Sequence, residues 1–582
     1  MQVNLINEIN PNYTATEQIL TNRGIPYDKI NAYLNTTDSD INSFLDLNNM
    51  EAAVKMLFKH LKCNSRILIQ VDSDVDGFTS AALLYNYLRA NYPNARMDYQ
   101  VHDQKRHGLD MIDSIYQNKY DLIIVPDAGS NEYEKHKELK DLNIDCLVLD
   151  HHDAPYESEF ALVVNNQLSE RYENKDLSGV GIVWQLCRAM DHFSIEEPNR
   201  PADSYLDLVA VGLVADMVDV RSFETRRLID KGLEIINNPH ARGKNIFLTK
   251  IVEKQSYSLG SEVTPTGIAF YIAPLINAVV RVGTHEERIF IFECFLDEIA
   301  SELLPSTKKG SKPGDTETRV EQGVRIAGNI KNRQKKEQDR VAKIFGQHID
   351  QEYLDNNSLI VLDTGGTVAK DLNGLIANQM QAKYKRPALV VSEVDGYIEG
   401  SARGYESNIM KDFKEYINNS GLAEFAEGHP NAFGVRFTKE NFKKFIEFSN
   451  KDLDYGNAHK EYDVDFIIDY EDLDSDMILE IAKLEKFWGT GLKEPFIMFK
   501  NVVIDKTKKF LMKGNTLKLI VKDIPCIKFK APEGVFDELA PNEYTSSIID
   551  IVGKPNLNVF NGQTIGQIFI EDYNIVGTKV NF

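Results

Sequence analysis

"RILIQVDSDVDGFTSAALLYNYLRANY", residues 66–92, is an apolar strand, an acidic turn and a helix in succession. Residues 67–71 are apolar except for Gln70, as expected of a strand buried on both faces. Residues 78–92 carry apolar side chains at helical spacing. Asp72, Asp74 and Asp76 stand between them, closed by Gly77. The pattern recurs downstream. "DLIIVPD" (121–127), "DCLVLDHH" (145–152) and "ALVVNN" (161–166) read as further buried strands. "VWQLCRAMDHF" (183–193) and "SYLDLVAVGLVADMV" (204–218) add helix. Buried strands interspersed with helices predict a parallel α/β sheet.

The chain has 582 residues, enough for about four domains at roughly 150 residues each. Hydrophobic content of 42% and charged content of 26% are those of a globular protein. The most apolar stretch, "LVAVGLVADMVDV" (208–220), is short and carries Asp216 and Asp219, so no membrane span is expected. The first residues lack a basic segment followed by an apolar one, as a signal peptide requires. Cys63, Cys146, Cys187, Cys294 and Cys526 are scattered, with no CxxC pair, which argues against a disulfide framework or a zinc knuckle. A cytoplasmic protein is expected. The net charge of −22 excludes wholesale attraction to nucleic acid or anionic membrane. It leaves room for a local basic groove and for acids that hold metal.

The expected organisation has five parts. Residues 1–60 read as a helical segment packed on the core, with a helix over 48–62. The α/β unit follows over 61–314. After the loop "LLPSTKKGSKPGD" (303–315), a long polar helix over 315–350 reads as a connector. A second α/β unit fills 351–490, with strands in "SLIVLDTGG" (358–366), "PALVVSEVDG" (387–396) and "YIEGSARG" (397–404) around a helix over 371–384. Short β runs fill 491–582 and predict a small all-β barrel or sandwich.

Three strands of the first sheet end in acid: Asp72, Asp74 and Asp76 after the first, Asp127 after the second, and Asp150, His151 and His152 after the third. In open α/β sheets, ligands bind beyond the carboxyl ends of the strands, so these groups share one rim. Asp216 is an acid in a very apolar helical segment, costly to bury unpaired. Taken singly, each has an ordinary explanation. Asp and Gly favour turns and helix N-caps; a lone His pair is usually structural or solvated. Capping does not readily give three strand ends and one buried acid at once. An oxygen-rich set with imidazole and no thiolate suits Mn²⁺ or Mg²⁺. Several carboxylates with histidine can hold two ions roughly 3.5–4 Å apart, an arrangement suited to attack on phosphorus.

These motifs resemble the DHH phosphoesterases. Asp150-His151-His152 is similar to the signature, "DSDVDG" to the first motif, "VPDAG" to the second and "GLVADMV" to the fourth. The resemblance implies Asp74, Asp76, Asp127, His151 and Asp216 as metal ligands and Asp72 as a further candidate. It makes His152 a ligand or a contact to the scissile phosphate, and Asp150 a partner that orients histidine. Many relatives carry a histidine four positions before the middle aspartate; here that position is Gln70.

The likeness extends along nearly the whole chain to the RecJ single-strand-specific exonucleases. "IAPLINAVVRVG" (272–283) resembles a substrate motif, with Asn277 and Arg281 matching, Leu275 in place of an arginine and Val280 in place of a glycine. "NRQKKEQ" (332–338), which begins at Asn332 and Arg333, matches the linking helix. "GSARG" (400–404) resembles a phosphate-binding element containing Ser401 and Arg403, and "EGHPNAFG" (427–434) one containing His429, with Glu427 replacing a glycine. "FWGTGLKEPF" (487–496) resembles the junction to an OB-fold. The implied architecture is two α/β domains joined by a long helix, with a C-terminal β-barrel of OB type. The connector offers Arg319, Arg325, Lys331, Arg333, Lys335, Lys336, Arg340 and Lys343, and the tail Lys506, Lys508, Lys509, Lys513, Lys518 and Lys522 around Phe510. Such a surface would track single-stranded nucleic acid by charge and stacking, although Phe510 could equally be core.

The resemblance implies a monomeric 5′→3′ exonuclease on single-stranded DNA in recombination or repair, with a single-strand-binding protein or a helicase as natural partners. Two other readings stay open: a DHH phosphodiesterase of short oligoribonucleotides or cyclic dinucleotides, and a non-catalytic scaffold that binds nucleic acid. The acidity and motif departures would suit a divergent copy from a phage or mobile element.

Overall fold

The computed structural model describes residues 1–104, 106–110, 119–455, 458–512, 515–531, 534–540, 542, 544–560 and 563–580. The chain divides into two compact units. One comprises Ile19–Lys331 and Lys483–Glu494; the other comprises Met1–Gln18, Asn332–Ala482 and Pro495–Phe582.

The chain opens on a strand, β1 (Gln2–Leu5), rather than the helix expected at this end. It pairs in parallel with β14 (Glu461–Val464), so residues 1–18 fold with the second unit. Its four residues alternate polar and apolar but none is buried, so the run is too short and too exposed to mark a strand without its distant partner.

The first unit is built on a parallel sheet of β2 (Arg66–Val71), β3 (Arg96–Val101), β4 (Leu122–Pro126), β5 (Asp145–Asp150) and β6 (Leu162–Asn165), in the order β3-β2-β4-β5-β6. Ile67, Leu68, Ile69 and Val71 are buried in succession, as are all five residues of β4. Both faces are therefore covered, which explains the unbroken apolar runs. β3, "RMDYQV", escaped the sequence reading because it is an edge strand with only two buried residues. The chain passes from β2 to β3 on one side and returns to β4 on the other. The order reverses between β2 and β4, and the crevice outside such a point is where open sheets bind ligands.

The helix Val75–Asn91 follows β2, starting three residues earlier than its apolar pattern indicates. Asp74 is its N-cap, with Oδ1 accepting from Gly77 N at 2.8 Å. Helices Gly179–Phe193 and Leu206–Ala215 pack against it. A short hairpin of β7 (Leu303–Pro305) and β8 (Thr316–Thr318) precedes the 28-residue helix Arg319–Gly346, which carries the chain from the first unit into the second.

In the second unit, β9 (Ile360–Asp363), β10 (Ala388–Val394), β11 (Tyr397–Arg403), β12 (Phe425–His429) and β13 (Ala432–Thr438) form a mixed sheet ordered β12-β13-β11-β10-β9. The tail holds β15 (Phe466–Asp469), β16 (Ile497–Ile504), β17 (Lys509–Met512), β18 (Thr516–Val521), β19 (Ile524–Lys528), β20 (Thr545–Phe560) and β21 (Gln563–Val580). These strands make one seven-stranded sheet, β15-β16-β20-β21-β19-β18-β17. The closed barrel expected for the tail is corrected: among the described residues β15 and β17 remain edges. Strand spacing reports the number of strands, while closure depends on the long-range pairing of the outer two.

Candidate metal centre and phosphate-binding rim

The ends of β2, β4 and β5 bring the sequence-singled acids to one place. Donor atoms of Asp72, Asp74 and Asp127 lie within 4.8 Å of one another; so do those of Asp76, His151 and Asp216, and those of Asp127, Asp150, His151 and His152. Asp127 belongs to two of the three groups. It sits immediately after β4 at φ +64°, a conformation uncommon outside glycine and tolerated best by Asn and Asp. Its backbone N–H donates to Leu149 O at 2.8 Å, which holds the turn against β5.

Glycine permits the close approach. A Cβ on Gly179 would lie 2.4 Å from Asp127 Oδ1, and one on Gly212 would lie 2.5 Å from Asp76 Oδ1. Helices Gly179–Phe193 and Leu206–Ala215 can therefore seat against the carboxylates. Asp76 is buried and reaches the start of the former, accepting from Gly179 N (2.7 Å), Ser178 Oγ (3.0 Å) and Val180 N (3.2 Å). Asp216 ends the latter, its N–H donating to Gly212 O, and Met217 leaves in the left-handed region.

Crowded, buried carboxylates resist ionisation. Burial, more than neighbouring charge, raises Asp76 to about 6 and Asp216 to about 8. Burial, then the charges of Asp76, Asp74 and Asp72, pushes Asp127 well above the usual carboxylate range, and burial and Asp72 raise Asp74. Such a cluster calls for a compensating cation.

The two histidines differ in kind. His151 is mostly buried, and burial with the charge of His152 lowers it to about 4, so its ring is neutral at pH 7. Its Nε2 lies 3.2 Å from Asp127 Oδ1 and 3.6 Å from Asp216 Oδ2. Neither Nε2 nor Asp127 Oδ1 completes a hydrogen bond, although both are buried. Two orphaned lone-pair donors converging on one point fit a metal ion; they do not fit a packed core. His152 is exposed, and its Nδ1–H donates to Asp150 Oδ1 at 2.7 Å. That bond raises His152 to about 9, an imidazolium at neutral pH. Asp150 is full: Oδ1 also accepts from His151 N and His152 N, and Oδ2 from Ser130 N at 2.9 Å. Burial alone would raise this carboxyl, but the His152 hydrogen bond and both imidazoles hold it below the usual range.

A cavity of about 180 Å³ opens on this cluster. Asp74, Asp76 and Asp216 line it with acid, and His107, Asn277 and Arg281 line it with groups that can donate. Asn277 and Arg281 are presented by the helix Ala273–Val282. Val280, the residue in place of a glycine, also lines it.

A family model for the N-terminal domain of the DHH family matches residues 66–213, and one for the RecJ OB domain matches 464–572. The chain is 35% identical to YorK of the SPbeta prophage in Bacillus subtilis, a protein named for single-strand DNA-specific exonuclease activity, over 100% of this chain and 99% of that one. The chain belongs to the RecJ-type branch of the DHH family. It is 24% identical to the single-stranded-DNA-specific exonuclease RecJ of Bacillus subtilis, over 93% of this chain and 65% of that protein. Its fold matches the crystal structure of RecJ in complex with Mn²⁺ from Thermus thermophilus with a TM-score of 0.70 at 19% identity, covering 100% of this chain and 80% of that one.

In the second unit of this RecJ-type chain, strand register gathers Ser401, Arg403 and His429. Ala432 on β13 pairs with Arg403 on one side and with His429 on the other. The three positions form a row, and in-register neighbours point to the same face. Ser401 is two residues along β11 and shares that face. Asn332 and Arg333 lie on the helix Arg319–Gly346 and belong to the same unit.

Several basic residues differ from expectation. Arg319 pairs with Glu293 and Glu302, Arg325 with Glu317, and Arg340 with Glu337, so much of the connector's charge is neutralised locally. Lys509 is buried, donating to Phe536 O and Leu539 O, and Lys522 donates to Glu471 O and Leu473 O. Both are structural. Lys506, Lys508 and Lys518 remain at least partly accessible, and Phe510 is 47% exposed, which removes it from the core. Lys513 lies outside the described residues. Sequence reading missed His107, whose Nδ1 lies 2.8 Å from Asp72 Oδ2, and His102, fully buried with Nε2 3.2 Å from Gln70 Nε2. Both belong to the segment after β3, which gave no apolar signal.

Proposed function

We propose that this chain is a metal-dependent exonuclease that hydrolyses phosphodiester bonds of single-stranded DNA from the 5′ end. The observation that carries the reading is the orphaned pair Asp127 Oδ1 and His151 Nε2, set among five further acids at the switch point of the sheet. The names of relatives matched along 93–100% of this chain support the substrate class.

Asp74, Asp76, Asp127, His151 and Asp216, with Asp72, are assigned to two ions of Mn²⁺ or Mg²⁺. When bound, such ions lower the pKa of an attacking water and stabilise charge on the phosphoryl oxygens. The neutral ring of His151 offers its Nε2 lone pair. His152 is given a different task. Asp150 fixes its ring through Nδ1, so a proton stays at Nε2, placed to donate to a phosphodiester oxygen as charge develops there. Asn277 and Arg281, which line the same cavity, are assigned to the same group. Ser401, Arg403 and His429 are assigned to the terminal 5′ phosphate, and their shared face supports that role. Phe510 and the accessible lysines of the tail are assigned to the strand beyond.

The division at residues 61–314, 315–350, 351–490 and 491–582 is retained as the functional one. The enzyme is placed in the cytoplasm as a monomer acting in recombination or repair beside a single-strand-binding protein or a helicase; five free cysteines support a reducing compartment.

Digestion of 5′- and 3′-labelled single-stranded DNA and RNA with Mn²⁺, Mg²⁺ or EDTA tests this. The expected result is metal-dependent release of nucleotides from the 5′ end of DNA. Cleavage confined to short RNA or cyclic dinucleotides, or cleavage in EDTA, contradicts it.

A further inference from the structure

We propose that His107 is a positioning residue: its ring, at the tip of the segment after β3, fixes the carboxylate of Asp72 and so sets the affinity of the ion shared by Asp72, Asp74 and Asp127. This inference rests on the metal-dependent reading above.

The segment grips the first aspartate motif at four points. His107 Nδ1 lies 2.8 Å from Asp72 Oδ2, and Gly108 N donates to Asp72 Oδ1 at 2.9 Å. A carboxylate can only accept, so Nδ1 carries the hydrogen. Each oxygen of Asp72 thus receives one donor, which fixes the plane of the group and leaves further lone pairs on both. Next to it, Ser73 Oγ donates to Gln104 O at 3.2 Å and accepts from Arg106 N at 3.3 Å.

The grip is braced from outside. Leu109 N donates to Glu132 Oε2 at 2.8 Å, and Lys135 bridges Glu132 (2.8 Å) and Asp110 (2.7 Å). Glu132 stands on the turn that begins with Asp127, so one brace joins the segment to both strand ends that supply the shared ion. Gly108 adopts φ +50°, and a Cβ there would lie 2.4 Å from Glu132 Oε2. At the foot, His102 is fully buried beside Gln70. The position where relatives place a histidine is thus tied into this segment and faces another side chain. Asp72 itself is only 2% exposed, whereas His107 is accessible and lines the cavity.

Partners that orient a metal ligand typically contribute 10–100-fold in affinity. With an accessible ring as the donor, the low end applies. Titration of the full chain with Mn²⁺ by calorimetry, compared among wild type, His107→Ala and His107→Asn, tests the proposal. Asn presents its Nδ2 where the ring presents Nδ1. His107→Ala is expected to weaken one Mn²⁺ site roughly 10-fold, His107→Asn to restore it, and all three to melt alike in EDTA. If the alanine variant folds poorly, His107→Gln, whose amide reaches one bond too far, takes its place. Wild-type affinity in the Ala or Gln variant, or equal loss in the Asn variant, overturns the proposal. A wild-type chain that binds no Mn²⁺ overturns the metal-dependent reading and this inference with it.

Discussion

Asp127→Asn is expected to make the metal-free protein more stable while abolishing its chemistry. Asp127 is 1% exposed, and its donor atom lies within 4.8 Å of those of Asp72 and Asp74. Two unit charges at that separation repel by about 3–4 kcal/mol at an effective dielectric of about 20. Burial and this mutual repulsion both push Asp127 and Asp74 above the usual carboxylate range. Removing one carboxylate should therefore stabilise the first unit by about 1–3 kcal/mol, or several degrees in melting temperature. The backbone tolerates the change, because Asn accepts φ +64° as well as Asp does. Mn²⁺ should reverse the ranking. At about 100 times Kd, each bound ion stabilises the wild type by about 2.7 kcal/mol, and the variant should gain little. Differential scanning calorimetry in EDTA and in Mn²⁺ reads both effects. A variant that melts below wild type in EDTA, or gains as much from Mn²⁺, refutes the reasoning.

The two histidines should separate by assay. His152→Gln is expected to keep Mn²⁺ affinity and lose roughly 10²–10⁴-fold in cleavage, whereas His151→Gln should lose Mn²⁺ binding as well; the same profile for both would contradict their assigned roles. Asp207 is fully buried, and burial raises it to about 6 although Asn245 N and Leu208 N both donate to it. The folded state then holds this proton more tightly than the unfolded chain, so stability falls as pH rises from about 4 to 6. Urea unfolding should show the difference between wild type and Asp207→Asn shifting by roughly 3 kcal/mol between pH 4 and pH 7; a pH-independent difference would refute the burial argument. Phe510→Ala should weaken binding of single-stranded DNA by about 1–3 kcal/mol without lowering the melting temperature, and unchanged affinity would remove the ring from the strand path.

Much of the centre was legible because strand ends and chemistry coincide in the sequence. An apolar run that stops at Asp72, Asp127 or Asp150 reports both a buried strand and the group at its tip. Topology then explains why these tips converge, since the order reverses between β2 and β4. The split between His151 and His152 was not legible: adjacent identical residues receive opposite protonation from burial in one case and Asp150 in the other. His107 left no signal, because a polar residue after an edge strand looks like any loop residue. Arg319, Arg325 and Lys509 looked like nucleic-acid contacts because a charge carries no record of its partner; the acids and carbonyls that engage them lie outside the helix or strand that carries each charge. The open edges of the tail sheet depend on pairings that strand spacing does not encode.

Anomalous diffraction from crystals grown with Mn²⁺ tests the central claim most directly. Two peaks roughly 3.5–4 Å apart are expected, both bounded by Asp127, one towards Asp72 and Asp74 and the other towards His151 and Asp216. A single peak, or peaks away from these side chains, contradicts the two-metal centre.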